Sequence, residues 1–244
     1  MGLMLIAAAI VAAMQVPANM AVIPSGTARR LMAPAGTTVH LRRFAIDRDP
    51  VTRGEFQHFV AAHANWTRDA VNASNADDGY LADWNARMQS GTETLHQPVT
   101  SVSWYAAGAY CAAHRRRLPT TDEWEYVARA SETSRDGSHD EQFRARVLGY
   151  YSDRSSHALP SVASGRRNAY GVRGLHDLVW EWTSNAGQAA EHAHDFSCAG
   201  AAIGSPDPSN YPAFLRFAFR SGLTPRTTSR SLGFRCATDL PPTA

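Results

Sequence analysis

The sequence predicts one domain that mixes short capped helices with short strands, and three observations predict it. With 244 residues, 44% of them hydrophobic, the chain supports one substantial core and is short for two. Residues 97–130, QPVTSVSWYAAGAYCAAHRRRLPTTDEWEYVARA, carry two separate helix-start signals on either side of a basic hinge. Segments near both ends alternate apolar and polar residues in the manner of half-buried strands. Internal repeats and low-complexity linkers are absent from the sequence.

Taken in order, the chain begins with GLMLIAAAIVAAM, an apolar run followed by small residues and Pro17 that is too short to span a bilayer stably. It predicts a secretory signal over residues 1–18, cleaved near Ala13 or Ala18, and an exported, periplasmic protein over residues 19–244 with no stable membrane anchor. The alternatives are an N-terminal anchor or an internal strand. MAVIPSG and TTVHLRRFAID then predict strands that pair at one edge of the domain. Thr52 and Glu55 have capping-box spacing for a scaffold helix with Phe56, Phe59 and Val60 facing inward. Asn65 to Gln97 predicts loops packed by Trp66, Tyr80 and Trp84.

Ser103 is the expected N-cap of the next helix, which ends near the run of arginines. Pro119 breaks the path, and Thr120 with Glu123 forms a second capping box for a helix starting at about Thr121. Its inner face is Trp124, Val127 and Ala128, and Asp122, Glu125 and Arg129 are expected to stay wet. Ser131 to Glu141 predicts a mobile surface loop. Gly171 and Gly174 permit a tight turn, and Val179 to Trp182 alternates as a strand whose Trp180 and Trp182 read first as core. Tyr211 to Arg220 predicts a strand with one face bearing Arg216 and Arg220, and LGFRCA a last core strand.

The net charge of +2 provides no field to attract nucleic acid or an anionic membrane surface. Every basic residue is Arg, so Schiff-base, PLP-lysine and P-loop-lysine mechanisms are excluded. The sequence has no Gly-x-Ser-x-Gly elbow and no Gly-rich phosphate loop. Three cysteines allow at most one internal pair, and spacing does not say which two form it. One local cluster has metal-ligand chemistry: Glu191, His192, His194, Asp195 and Cys198 bring two imidazoles and a thiol together, groups suited to copper or zinc. Its spacing is not a recognised ligand set, and a His-x-His in a polar loop is often merely solvated.

Five ordered segments add a further expectation. PVTSVSW with AYC and RLPTTDEWEYVARA, DPVTRGEFQHFV, NAYGVRGL, VWEWTSN and LGFRCA together resemble the formylglycine-generating enzyme, or sulfatase-modifying factor, family along nearly all of residues 19–244. The resemblance implies an α+β domain of C-type-lectin-like fold with much irregular backbone. It also implies a disulfide between Cys111 and Cys236, leaving Cys198 as the lone thiol, and a substrate groove walled by the region from Trp66 to Trp84 and the segment around Cys198 and lined or supported by Trp180, Trp182, Arg216 and Arg220. A bridge closing so long a loop contributes roughly 4 to 5 kcal/mol in the simple entropic treatment.

Family oxidases hold copper(I) between two cysteines five residues apart, and the second of those positions here is Pro212. No cysteine lies between Cys198 and Cys236, so the dithiol is absent. A second family disulfide is also missing, its positions holding Ala128 and Phe217. The family's calcium loop is replaced by Asp177 and Leu178, with Glu181 kept, which puts calcium in doubt and leaves Glu181 as a candidate metal ligand beside His192, His194 and Cys198. RNAYGVRGLHDLVWEW, SCAGAA and NYPAFLRFAFRSGL are most similar to NirV-type proteins, associated with copper nitrite reductase in denitrification. The resemblance therefore implies a periplasmic accessory or maturation factor with copper nitrite reductase as client. The alternatives are an oxidase of the formylglycine-generating or pyoverdine-maturation type, including one using Cys198 alone, and a lectin-fold interaction module.

Overall fold

The computed structural model describes residues 15–29, 37–84, 94–152, 159–185 and 211–241. Four short strands come first: β1 (Met20–Ile23), β2 (Gly26–Arg29), β3 (Thr38–Leu41) and β4 (Phe44–Asp47). β2 and β3 form an antiparallel pair of their own. β4 lies between β1 and the late strand β7 (Ala237–Asp239), antiparallel to both, with Ile23 opposite Phe44 and Ile46 opposite Ala237. The expected half-buried pattern fails at β4, where all four residues are buried. Successive side chains on a strand leave opposite faces, and both faces of this sheet are covered. Phe44 and Ile46 pack with Trp124, Val127, Val172 and Leu175, while Ala45 packs with Met20 and Leu240 on the other side.

The helix starts follow their caps. Thr52 accepts from the Glu55 amide at 3.2 Å, and the Glu55 carboxylate accepts from the Thr52 amide at 2.8 Å, which begins α1 (Arg53–Ala62). Ser103 accepts from the Ala106 amide at 3.2 Å at the start of α2 (Trp104–Ala113). α2 ends where Arg115 takes φ +56° and the Arg116 amide turns back to the Cys111 carbonyl. The Thr120–Glu123 box opens α3 (Thr121–Ala128). Phe56, Phe59, Tyr110 and Phe234 form the aromatic centre of the larger core. Cys111 and Cys236 are joined there by a disulfide with a Cα separation of 5.6 Å, both residues wholly buried.

Tyr80 and Trp84 pack their loop region as expected, 2% and 3% exposed, and Tyr80 donates to the Trp66 carbonyl at 3.0 Å. One expectation is corrected. Glu125 is buried instead of wet, for a reason given below. The loop after α3 is held by hydrogen bonds, since buried Ser131 accepts from the Ser134 amide and the Gly137 amide donates to the Arg129 carbonyl. It leads into α4 (Glu141–Ser152), whose start is signalled by Asp140 accepting from the Phe143 amide at 2.9 Å.

Tyr211–Ser221 is the helix α5, not a strand. A spacing of four places Arg216 and Arg220 on one side under either periodicity, so the pattern that suggested a strand is equally that of a helix face. Pro212 sits in the first turn, where its missing N–H costs no helical bond. The segments β5 (Trp180–Glu181) and β6 (Leu232–Gly233) are two residues each and pair in parallel. LGFRCA is therefore split between β6 and the start of β7, with Phe234 to Cys236 bridging them.

Candidate functional site

Beside the β5–β6 pair, a chain of buried polar groups runs from the sheet to α5. Arg235 and Glu181 are both wholly excluded from solvent. Arg235 Nε donates to Glu181 Oε2 and Nη2 to Oε1, each at 2.8 Å. Its remaining hydrogens go to the carbonyls of Asp47, Arg48 and Arg173, so every donor of the fork is used. Trp124 Nε1 donates to Glu181 Oε2 at 2.6 Å. With its oxygens taken by a guanidinium and an indole, Glu181 is not placed as a metal ligand, and that assignment is corrected.

The ring of Trp124 carries the chain onward. Arg216 and Arg220 lie over it, their guanidinium carbons 5.4 and 4.9 Å from the ring centroid. Both also reach Glu125, Arg216 Nε at 2.9 Å and Arg220 Nη1 at 2.7 Å from Oε1. Burial pushes the Glu125 carboxyl up, but the two arginines outweigh it and hold it down at about 2. His176 is packed alongside, its Nε2 within 2.9 Å of the Ala128 carbonyl. Burial first, and then the charge of Arg216, push its imidazole down to about 3. Arg216 and Arg220 are thus ion-paired anchors of α5, 5% and 6% exposed.

Trp182 is 1% exposed and donates to the Val102 carbonyl at 2.9 Å, the core role that its strand pattern suggested first. Trp180 is half-buried and stacks on Phe219 of α5, with ring centroids 4.3 Å apart and planes at 12°. Trp104 packs partly buried against the same core and donates to the Thr183 carbonyl at 2.9 Å. Of the four residues expected at a groove, Trp180 alone is less than buried. Sequence reasoning missed Glu125, Trp124 and His176 as the groups that seat α5, and the Arg-x-x-x-Arg spacing facing an acidic helix was the available signal.

Cys198, His192 and His194, with Glu191 and Asp195, lie outside the described residues. Among the described residues no three His, Cys, Asp or Glu side chains cluster to hold a metal ion. The Asp177 carboxylate accepts from the Arg166 amide at 3.0 Å. With Glu181 committed to Arg235, this pair does not fit the calcium that the resemblance brings up. Copper(I) on two thiolates does not fit either, because two of the three cysteines are consumed in the disulfide.

A family model described as the sulfatase-modifying factor enzyme 1-like domain matches residues 8–240. The chain is 32% identical to the inactive C-alpha-formylglycine-generating enzyme 2 of Mus musculus, over 82% of this chain and 76% of that one. It is 29% identical to the formylglycine-generating enzyme of Streptomyces coelicolor, over 83% and 80%. Among solved structures, PvdO from Pseudomonas aeruginosa superposes with a TM-score of 0.52 at 21% identity, covering 91% of this chain and 94% of that one. CarF does so at 0.53 and 17%, covering 92% and 99%. The two structures share the fold.

Proposed function

The chain belongs to the sulfatase-modifying factor enzyme 1-like family, and from that premise we propose that it is a non-oxidising member, an exported accessory factor of the NirV type that serves copper nitrite reductase. The observation that carries this reading is the cysteine inventory: with Cys111 bonded to Cys236, Cys198 is the one thiol left. A soft, two-coordinate copper(I) centre needs two thiolates. A relative named inactive, at 32% identity, supports a scaffold that persists without that chemistry. The client lies against the aromatic surface of Trp180 and Phe219, and His192, His194 and Cys198 pass copper to it.

The test has two arms. Purified protein incubated with copper, oxygen and a Cys-x-Pro-x-Arg peptide should form no aldehyde, and robust turnover would return the oxidase reading to first place. Deleting the gene under copper limitation should lower the copper content of nitrite reductase without lowering its transcript. A His194→Ala, Cys198→Ser copy should restore it poorly, whereas full copper occupancy in the deletion strain would overturn the proposal.

A further inference from the structure

The folded chain is already in contact with the sheet before β1 begins. Pro17 to Met20 make a β-turn closed by the Met20 amide, which donates to the Pro17 carbonyl at 2.9 Å. The turn carries Val16 back onto the sheet, where it lies half-buried against Met20, Ala45 and Leu240. Asn19 prolongs the pairing of β1 with β4 by one position, its carbonyl accepting from the Arg48 amide at 2.8 Å. Its side-chain oxygen accepts from Arg116 Nη2 at 3.3 Å, while Nη1 of the same guanidinium holds the buried Asp47 at 2.6 Å. Residues 16–19 are thus built into the edge of the three-stranded sheet.

We propose that leader removal takes place between Ala13 and Met14, and that residues 14–19 stay with the exported protein as the first part of its fold. The inference rests on the reading of an exported chain given above. Both candidate cuts follow an alanine with a valine two residues before it, Val11 and Ala13 or Val16 and Ala18, so the small-residue pattern does not choose between them. The contacts do. A cut after Ala18 deletes the Pro17 acceptor and Val16, which opens Met20, Ala45 and Leu240 to water. It also puts an ammonium on Asn19, the residue that the Arg116 guanidinium contacts. A cut after Ala13 touches none of these contacts. In it, water hydrolyses one amide and leaves a carboxylate on Ala13 and an ammonium on Met14, so a peptidase of the export machinery is the only other participant.

Protein recovered from the host's cell envelope is mapped for its N-terminal peptide, and the expected first residue is Met14. A start at Asn19 would overturn the proposal and leave the export reading standing, whereas an uncut leader would overturn both. Two variants locate the bond independently. Ala13→Phe places a large residue where a leader ends in a small one and should stop maturation, and Ala18→Phe, at an exposed turn position, should mature as the wild type. Maturation blocked by Ala18→Phe would overturn the assignment. Purified chains 14–244 and 19–244 are also compared by thermal unfolding. The shorter should melt lower by about 2–8 °C, as the loss of one or two contacts does in a domain of this size. Val16→Ser in the longer chain should shift the midpoint in the same direction, which keeps the comparison usable where the shorter chain does not fold. Equal midpoints in all three chains would overturn the proposal.

Discussion

Arg235 and Glu181, 54 positions apart, meet in a two-armed ion pair with no solvent exposure on either side chain, and Arg235 spends its remaining hydrogens on three backbone carbonyls. Removing either partner leaves a buried charge uncompensated, which costs about 3–5 kcal/mol. Arg235→Leu and Glu181→Leu should therefore each lower the urea midpoint sharply, and the double variant should lose clearly less than the two combined. Additive losses would show that the two side chains do not depend on each other.

Thiol chemistry should distinguish the three cysteines. Alkylation of unreduced protein followed by peptide mapping should label Cys198, with Cys111 and Cys236 labelled only after reduction. Cys111→Ala should cost about 4–5 kcal/mol in the entropic treatment of the long loop. A bridge from Cys198 to either other cysteine in the mapped peptides would contradict this pairing.

Three buried groups set the acid response. His176 titrates at about 3 in the fold and near 6.5 when unfolded, so the unfolded chain binds the extra proton between those values and stability falls as pH falls through them. Asp47 is pushed up to about 6, chiefly by burial despite Arg116, so between 6 and 3.8 the folded chain binds the extra proton and stability rises as pH falls. The two slopes oppose one another, each about 1.4 kcal/mol per pH unit. Glu125, held at about 2 against 4.5, adds a loss of stability that begins only as pH drops below 4.5. Unfolding free energy should be nearly level from pH 6 to 4.5 and steepen below. Asp47→Asn should remove the compensation and produce a decline already from pH 6 to 4.5; a level curve in that variant would refute the assignment.

Gly233 of β6 has no room for a side chain, since a Cβ there would sit 2.4 Å from the Val99 carbonyl oxygen, a backbone atom with little room to yield. Gly233→Ala should cost about 1–3 kcal/mol as an overpacked core does. Gly108→Ala, with open space around the same atom, should cost nothing measurable or stabilise α2 slightly. Comparing the two thermal midpoints checks the contact, and equal shifts would argue against it.

The start of α1, α2 and α3 was legible because a cap is a local event: Thr52 with Glu55, Ser103, and Thr120 with Glu123 are all within three residues of the amides they satisfy. The disulfide and the fold were legible through ordered motifs, not through any periodicity. α5 was misread because a four-residue spacing of Arg216 and Arg220 does not separate period 2 from period 3.6. Glu125 looked wet because its partners come from a helix some ninety residues later, and the engagement of Glu181 was hidden because Arg235 lies 54 positions away. Local pattern cannot report a charge pair made by tertiary approach. The start of α4 could have been found from Asp140, an N-cap in an otherwise polar stretch.

The Cys111–Cys236 bridge spans 125 positions of sequence and encloses α3, α4, β5, α5 and β6 in a single covalent ring. A protease that cuts the backbone once anywhere inside that ring releases nothing, because both pieces remain tied through the two sulfurs. Such a clipped molecule would migrate as one species without reductant and as two with it, and its halves would stay at one another's effective concentration long enough to close again on the same core.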